Sequence, residues 1–231
     1  NIFKMKKMIL TLIVALLALN LPAQTMAFTA IEVKAKPFTQ KDISESFDKV
    51  FEGVEMNNGG VVLERFIAGR RDGMTHRIVF LYTLGEELMD EDAISPDKNA
   101  VFWGKMRNYV EEWGNSYSGR MKSWKEGDTE KMPLVHIWNI SPENPAAFKK
   151  GHDKIVDEFA DDFKDRIVGF GTYDIGMPEG ASHWIAVTGE DGEDHLMLYD
   201  KLENEKKFVE FAQERGSFEM IKDFSVRILR S

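Results

Sequence analysis

Gly69-Arg70-Arg71-Asp72-Gly73-Met74-Thr75-His76 returns 107 residues later as Gly176-Met177-Pro178-Glu179-Gly180-Ala181-Ser182-His183. Gly faces Gly twice, Asp faces Glu, Thr faces Ser, and His faces His. Apolar runs of strand character flank both copies. They are Val61-Val62-Leu63 and Ile78-Val79-Phe80 around the first, Ile167-Val168 and Ile185-Ala186-Val187 around the second. Glycine supplies the positive φ of a tight turn, and a short polar side chain bonds the local backbone, so the motif is turn chemistry. A segment repeated at long spacing signals a repeated structural unit. Two copies of one small α/β unit are therefore expected, over residues 28–127 and 128–231.

Working outward from the two turns, one order of elements is read twice. Residues 30–36 read as a strand, 39–56 as a helix, 61–68 and 76–84 as strands around the turn, 99–113 as a helix and 117–125 as a strand. The second series is 133–140, helix 145–163, strands 166–174 and 183–188, helix 197–215 and strand 218–229. The helices rest on apolar residues at helical spacing, such as Ile43, Phe47, Val50 and Val54. Pro37, Asn57-Asn58-Gly59-Gly60 and Ser141-Pro142 punctuate them. Each series is β-α-β-β-α-β, the ferredoxin-like order, with four antiparallel strands and both helices on one face. The central strands are apolar at both parities, Ile78 and Phe80 against Val79 and Leu81, which marks strands buried on both sides. The other unit's sheet is the simplest cover. The expected fold is thus α+β: two tandem ferredoxin-like units packed sheet to sheet as an intramolecular αβ-barrel, a monomeric pseudo-dimer.

Lys4, Lys6 and Lys7 precede an apolar run over 8–21, and Thr25-Met26-Ala27 makes a small-x-small cleavage site. Residues 1–27 read as a secretory signal peptide whose core is too short for a membrane span. The chain is expected to be secreted or periplasmic, with no stable membrane insertion after cleavage. Loss of the three lysines takes the net charge from −9 to −12, which disfavours nucleic acid and anionic lipid as partners. The absence of cysteine excludes disulfides, thiolate metal sites and thiol nucleophiles. No phosphate-binding glycine loop, H-E-x-x-H or G-x-S-x-G is present.

The element order, the doubled strand–turn–His segment and Lys206-Lys207-Phe208-Val209-Glu210-Phe211-Ala212 before a final strand resemble the dimeric α/β-barrel superfamily in fused form. The resemblance covers essentially all of residues 28–231. That superfamily includes haem-degrading and quinol-type monooxygenases, polyketide cyclases, dye-decolourising peroxidases, chlorite dismutases and stress proteins. The resemblance therefore implies a fold, and a ligand site between the sheets, without choosing a reaction. Its haem-binding members use a His of the unit's second helix. Here His152 lies in a first helix and His195 precedes a second one, so neither haem nor another cofactor is expected.

Alternation along 134–140 is read with His136 and Trp138 in the lumen, and Val135 and Ile137 toward the helices. Gly169, Gly171 and Tyr173 share one strand face, where the glycines are expected to open a cavity beside Tyr173. Val62, Glu64 and Phe66 stand in those places in the first unit and fill them more fully, so the pocket is expected mainly in the second. His136 as base and Tyr173 as orienting phenol form the candidate catalytic pair. Trp138, Glu64, Phe66, Gly169, Gly171, His183 and Trp184 complete the candidate ligand-binding set. His76 and His183 could together ligate a metal. Each, however, follows a tight turn whose backbone its ring can bond, so no metal is expected. The acidic runs 86–97 and 189–194 lack calcium-loop spacing and read as solvated loops. Three functions stay open. The first is a non-catalytic protein binding a small apolar or aromatic molecule. The second is a cofactor-free monooxygenase or cyclase, and the third a structural or interaction module with a filled lumen.

Overall fold

The computed structural model describes residues 24–69, 73–178 and 180–231. The run 8–21 and turn positions 70–72 and 179 lie outside them. Eight strands close into one antiparallel barrel: β1 Met26–Ala35, β2 Gly60–Ala68, β3 His76–Thr83, β4 Val110–Lys125, β5 Leu134–Pro142, β6 Val168–Thr172, β7 His183–Gly189 and β8 Phe218–Arg230. The order around it is β1-β3-β2-β8-β5-β7-β6-β4. Each half thus contributes four strands in the ferredoxin-like order, and the seams β2–β8 and β4–β6 are hydrogen-bonded ladders. The halves do more than lie face to face: full closure leaves no sheet edge to protect.

Among the described residues five helices lie outside: α1 Gln40–Phe51, α2 Pro96–Tyr109, α3 Pro145–Glu158, α4 Gly192–Glu203 and α5 Lys206–Glu214. Among the described residues no helix is long and apolar enough to cross a membrane. The outer faces of β1–β3 pack Val33, Leu63 and Ile78 against Ile43 and Phe47 of α1 and Phe102 and Met106 of α2. On the other side Val168 and Val187 pack on Ile155 of α3 and Leu198 and Leu202 of α4. The lumen holds its own core of Phe28, Phe66, Val79, Tyr117, Val135, Ile137, Tyr173, Trp184 and Phe224.

The two turns agree bond for bond. Phe66 N–H donates to Thr75 C=O and Tyr173 N–H to Ser182 C=O, each at 2.9 Å. Thr75 N–H reaches Val33 C=O and Ser182 N–H reaches Ile140 C=O. Gly69 and Gly176 carry φ of 66° and 67°. A Cβ at either would run into a backbone carbonyl of the seam strand, that of Asp223 or Ser116. This explains why glycine recurs there.

Several element boundaries differ from expectation. The helix expected over 99–113 starts at Pro96, because the Ser95 hydroxyl accepts from Lys98 N–H at 3.2 Å and Pro suits the first turn. It stops at Tyr109, and the chain enters β4 without a loop. Ala35↔Val110 and Val33↔Trp113 ladder pairing takes up its last apolar residues. The helix expected over 197–215 is two helices. The first begins at Gly192 because Asp191 caps Asp194 N–H at 3.0 Å, which turns the acidic run into a first helical turn suited to carboxylates. Strand β1 begins at Met26, so two residues of the expected cleavage site pair with Thr83 and Tyr82.

Candidate functional site

Side-chain alternation sends the even-numbered residues of β1, Phe28, Ala30 and Glu32, into the barrel, opposite Arg77, Val79 and Leu81 of β3. Between them lies a cavity of about 140 Å³. Its walls are mainly apolar, from Phe28, Val79, Val135, Ile137, Trp184 and Ala186. Glu64, Arg77 and Tyr173 supply polar groups to it, with Thr129, Thr188 and Ser231 also on its lining. The lining draws on both halves, and the charged groups come from the first. The expectation of a pocket belonging mainly to the second half is therefore corrected.

The glycines explain that reversal. A Cβ at Gly171 would overlap the six-membered ring of Trp184, and one at Gly169 would sit 2.8 Å from Trp124 Cε3. The room they leave is filled by indoles and is not open beside Tyr173. Register gives the counterpart. Arg77 pairs with Glu32 and Glu64, while Trp184 pairs with Asn139 and Gly171. One half seats a guanidinium between two carboxyls; the other seats an indole between an amide and a glycine. The glycine is the condition for the indole.

The charged set is a connected chain. Arg77 Nε–H donates to Glu64 Oε2 in a buried ion pair. Arg77 Nη1 donates to the Tyr117 hydroxyl at 3.2 Å, which donates to Glu32 Oε1 at 3.3 Å. Burial opposes the charge on Arg77, yet Glu64, then Tyr117, hold its pKa above the ordinary value. The Tyr117 phenol is pushed up to about 12, first by burial, with Glu32 and Glu64 adding to it against Arg77. The partnered guanidinium thus stands in a setting that a lone charge would not tolerate. Tyr173 donates to Asn139 Oδ1 at 2.7 Å and meets Phe28 and Tyr117 edge to face, at 6.1 and 5.5 Å between ring centroids.

Of the expected residues, Glu64, Phe66, Gly169, Gly171, Tyr173 and Trp184 lie on the lumen side. His136, Trp138 and His183 do not. Val135 and Ile137 fill the lumen, reversing the parity expected for β5. His136 faces α4, where Nδ1 meets the Tyr199 hydroxyl at 2.9 Å and Nε2 meets Asp223 Oδ2 at 3.0 Å. Trp138 stacks on it at 3.9 Å. The sheet thus separates His136 from Tyr173, and the expected catalytic pair is not brought together. The cause is partner supply: β5's outer face offers a phenol and a carboxylate near solvent, whereas the lumen at that layer is hydrocarbon. His183 stacks on Phe170 at 5.3 Å and bonds Ser182 Oγ through Nδ1 at 2.8 Å. His76 bonds Thr75 Oγ1 the same way at 2.9 Å. Burial lowers the pKa of both, that of His76 to about 4 with Arg65 adding. Both histidines serve the turns. Among the described residues no three His, Asp or Glu side chains are grouped to hold a metal.

Arg77, Tyr117 and Trp124 escaped the sequence reading, although an arginine inside the apolar run 76–81 was a signal for the first. Haem does not fit this chain. His195 stands inside α4, not before it, and both its ring nitrogens are engaged, Nε2 with Leu134 C=O at 3.1 Å and Nδ1 with Tyr199 at 2.9 Å. The cavity is also smaller than the ~300 Å³ at which ordinary cofactor sites begin.

No protein-family model matches the sequence, and no curated protein matches it. Solved structures do match in shape. A candidate monooxygenase from Fusobacterium nucleatum superposes with a TM-score of 0.58 at 14% identity, covering 90% of this chain and 94% of that one. One from Lactobacillus acidophilus gives 0.56 at 9% identity, covering 89% and 94%. An anthrone oxidase-like protein gives 0.54 at 9% identity, covering 90% and 92%. These likenesses show the fold alone, an α+β barrel shared at low sequence identity.

Proposed function

We propose that this protein binds a small, largely apolar or aromatic molecule inside its barrel. The observation that carries the reading is the lumen cavity, walled by Phe28, Trp184, Val135 and Ile137 and ending on the Glu64–Arg77 pair. An apolar pocket with a few convergent polar groups is the physical form of a ligand site. A filled lumen would have needed no ion pair at its base, since hydrocarbon of equal volume costs less. Native mass spectrometry of the protein isolated from its own source is the test. A bound molecule of low mass is expected, and it should be absent from Ala186→Trp, which fills the cavity. Identical spectra with no bound mass would sink the reading.

A second reading is favoured by the same base. Glu64 can take a proton from an acidic substrate group while Arg77 holds the resulting anion, with dioxygen as oxidant. This is the chemistry of a cofactor-free monooxygenase; the Fusobacterium and Lactobacillus structures are named only as monooxygenases. It replaces His136 with Glu64 as base. Export belongs to the same proposal: residues 1–27 act as a signal, and a monomer of two duplicated halves, 28–127 and 128–231, works outside the cytoplasm. The turn motifs and the shared strand order support duplication. Terminal sequencing of the exported protein should find Phe28 first; an N-terminus within 1–23 would overturn the cleavage.

A further inference from the structure

We infer that the lumen's occupant is a neutral single-ring molecule carrying a hydroxyl group, a phenol, recognised jointly by Arg77 Nη2 and Glu64 Oε1. The inference rests on the lumen-binding reading above and adds the chemical class. Arg77 spends Nε on Glu64 and Nη1 on Tyr117, and no described residue bonds Nη2. Glu64 spends Oε2 on Arg77, and no described residue bonds Oε1. Arg77 and Glu64 are only 8% and 6% exposed, yet neither of these two atoms is among the sealed, partnerless ones. Both residues line the cavity. The cavity lining therefore includes one bare donor group and one bare acceptor from neighbouring residues.

That pair is the complement of a hydroxyl, whose oxygen accepts from Nη2 and whose hydrogen is donated to Oε1. A ketone would satisfy Arg77 alone, and a hydrocarbon would leave both groups bare. A carboxylate would meet Arg77 only by facing Glu64, which already compensates that guanidinium, with Glu32 a neighbour in register. Sites built to bond a hydroxyl reject analogues lacking it far more strongly than sites selecting on shape. Size limits the rest of the molecule. A cavity of about 140 Å³ is close to the roughly 150 Å³ that accepts benzene in an engineered core, so one ring fits and two do not. Edge and face contacts from Phe28 and Trp184, themselves 5.6 Å apart at 88°, suit an aromatic ring.

The test is fluorine NMR of the full chain with 4-fluorophenol, 4-fluorotoluene and 4-fluorobenzoate as probes. The phenol is expected to bind at least about tenfold more tightly than either of the others. In Glu64→Gln that preference should fall several-fold, while in Asp191→Ala, outside the cavity lining at the cap of α4, it should persist. The wild-type ratio decides even if Glu64→Gln fails to fold. Equal affinity for phenol and toluene would overturn the inference and leave a lumen site standing. A preference for benzoate would overturn it in favour of an anion site. Binding of no probe by the wild type, or binding unchanged in Ala186→Trp, would overturn the lumen reading itself.

Discussion

The exchange of Glu64–Arg77 for Gly171–Trp184 between the halves predicts a coupled pair of substitutions. Arg77→Trp alone strands Glu64 in a site where it is 6% exposed and sets an indole where the register places the Glu64 side chain. Breaking a buried pair in this way costs about 3–5 kcal/mol. Glu64→Gly alone strands Arg77 and costs a similar amount. Independent effects would sum to roughly 6–10 kcal/mol, enough to unfold most domains of this size. The double variant rebuilds the arrangement already present at Gly171 and Trp184, with no unpaired charge between the two and space for the ring. Its cost should be no more than about 2–3 kcal/mol, since Glu32 stands where Asn139 is and a strand glycine costs up to ~1 kcal/mol. Urea denaturation followed by circular dichroism reads all four corners of the cycle. At about 2–4 °C per kcal/mol, each single should melt roughly 6–20 °C lower and the double well above both. A double variant within about 0.5 kcal/mol of the sum of the singles would show that the two positions are not coupled, and the account of the glycine would fail.

Other outcomes follow from single contacts. Because burial lowers the His76 pKa from 6.5 to about 4, the unfolded chain takes up a proton below pH 6.5 that the folded one refuses. Stability is then full above pH 6.5 and falls by up to about 3 kcal/mol as pH drops toward 4. Urea midpoints at pH 7.5 and 4.5 should differ less in His76→Phe, and an unchanged difference would refute the assignment. Tyr173→Phe removes the donor to buried Asn139 Oδ1 and should cost about 1–3 kcal/mol by chemical denaturation. A neutral result would mean that the bond carries no net stability. Asp191→Ala removes the cap of α4. A loss of about 1 kcal/mol, with faster amide exchange confined to residues 192–196, is expected.

Much of the architecture is legible along the chain, because turn and strand signals are local. Apolar runs and four helical stripes along the chain name the eight strands of the barrel and the helices among the described residues, the last two of them as one. Helix ends were less legible. Trp113 reads equally as the end of a helical stripe and as a strand residue, and only ladder pairing with Val33 decides. The site was legible in part. Alternation along their strands turns Tyr173 and Glu64 inward, where both line the cavity, but it did not separate Trp184 from His183. His136 was misplaced because alternation reveals that two faces differ without revealing which one is inside.

By itself, then, the sequence determined an α+β barrel and the positions of its strands and tight turns, since these rest on backbone conformation and periodicity within a few residues. Tertiary structure alone decided what the lumen contains. Strand pairing brought Glu32, Glu64, Arg77 and Tyr117 together from four adjacent strands, and it let the Trp184 ring occupy the space left by Gly171. Hydrogen-bond partnership and filled volume belong to residues on different strands, and their pairing exists only once the register of the sheet is set.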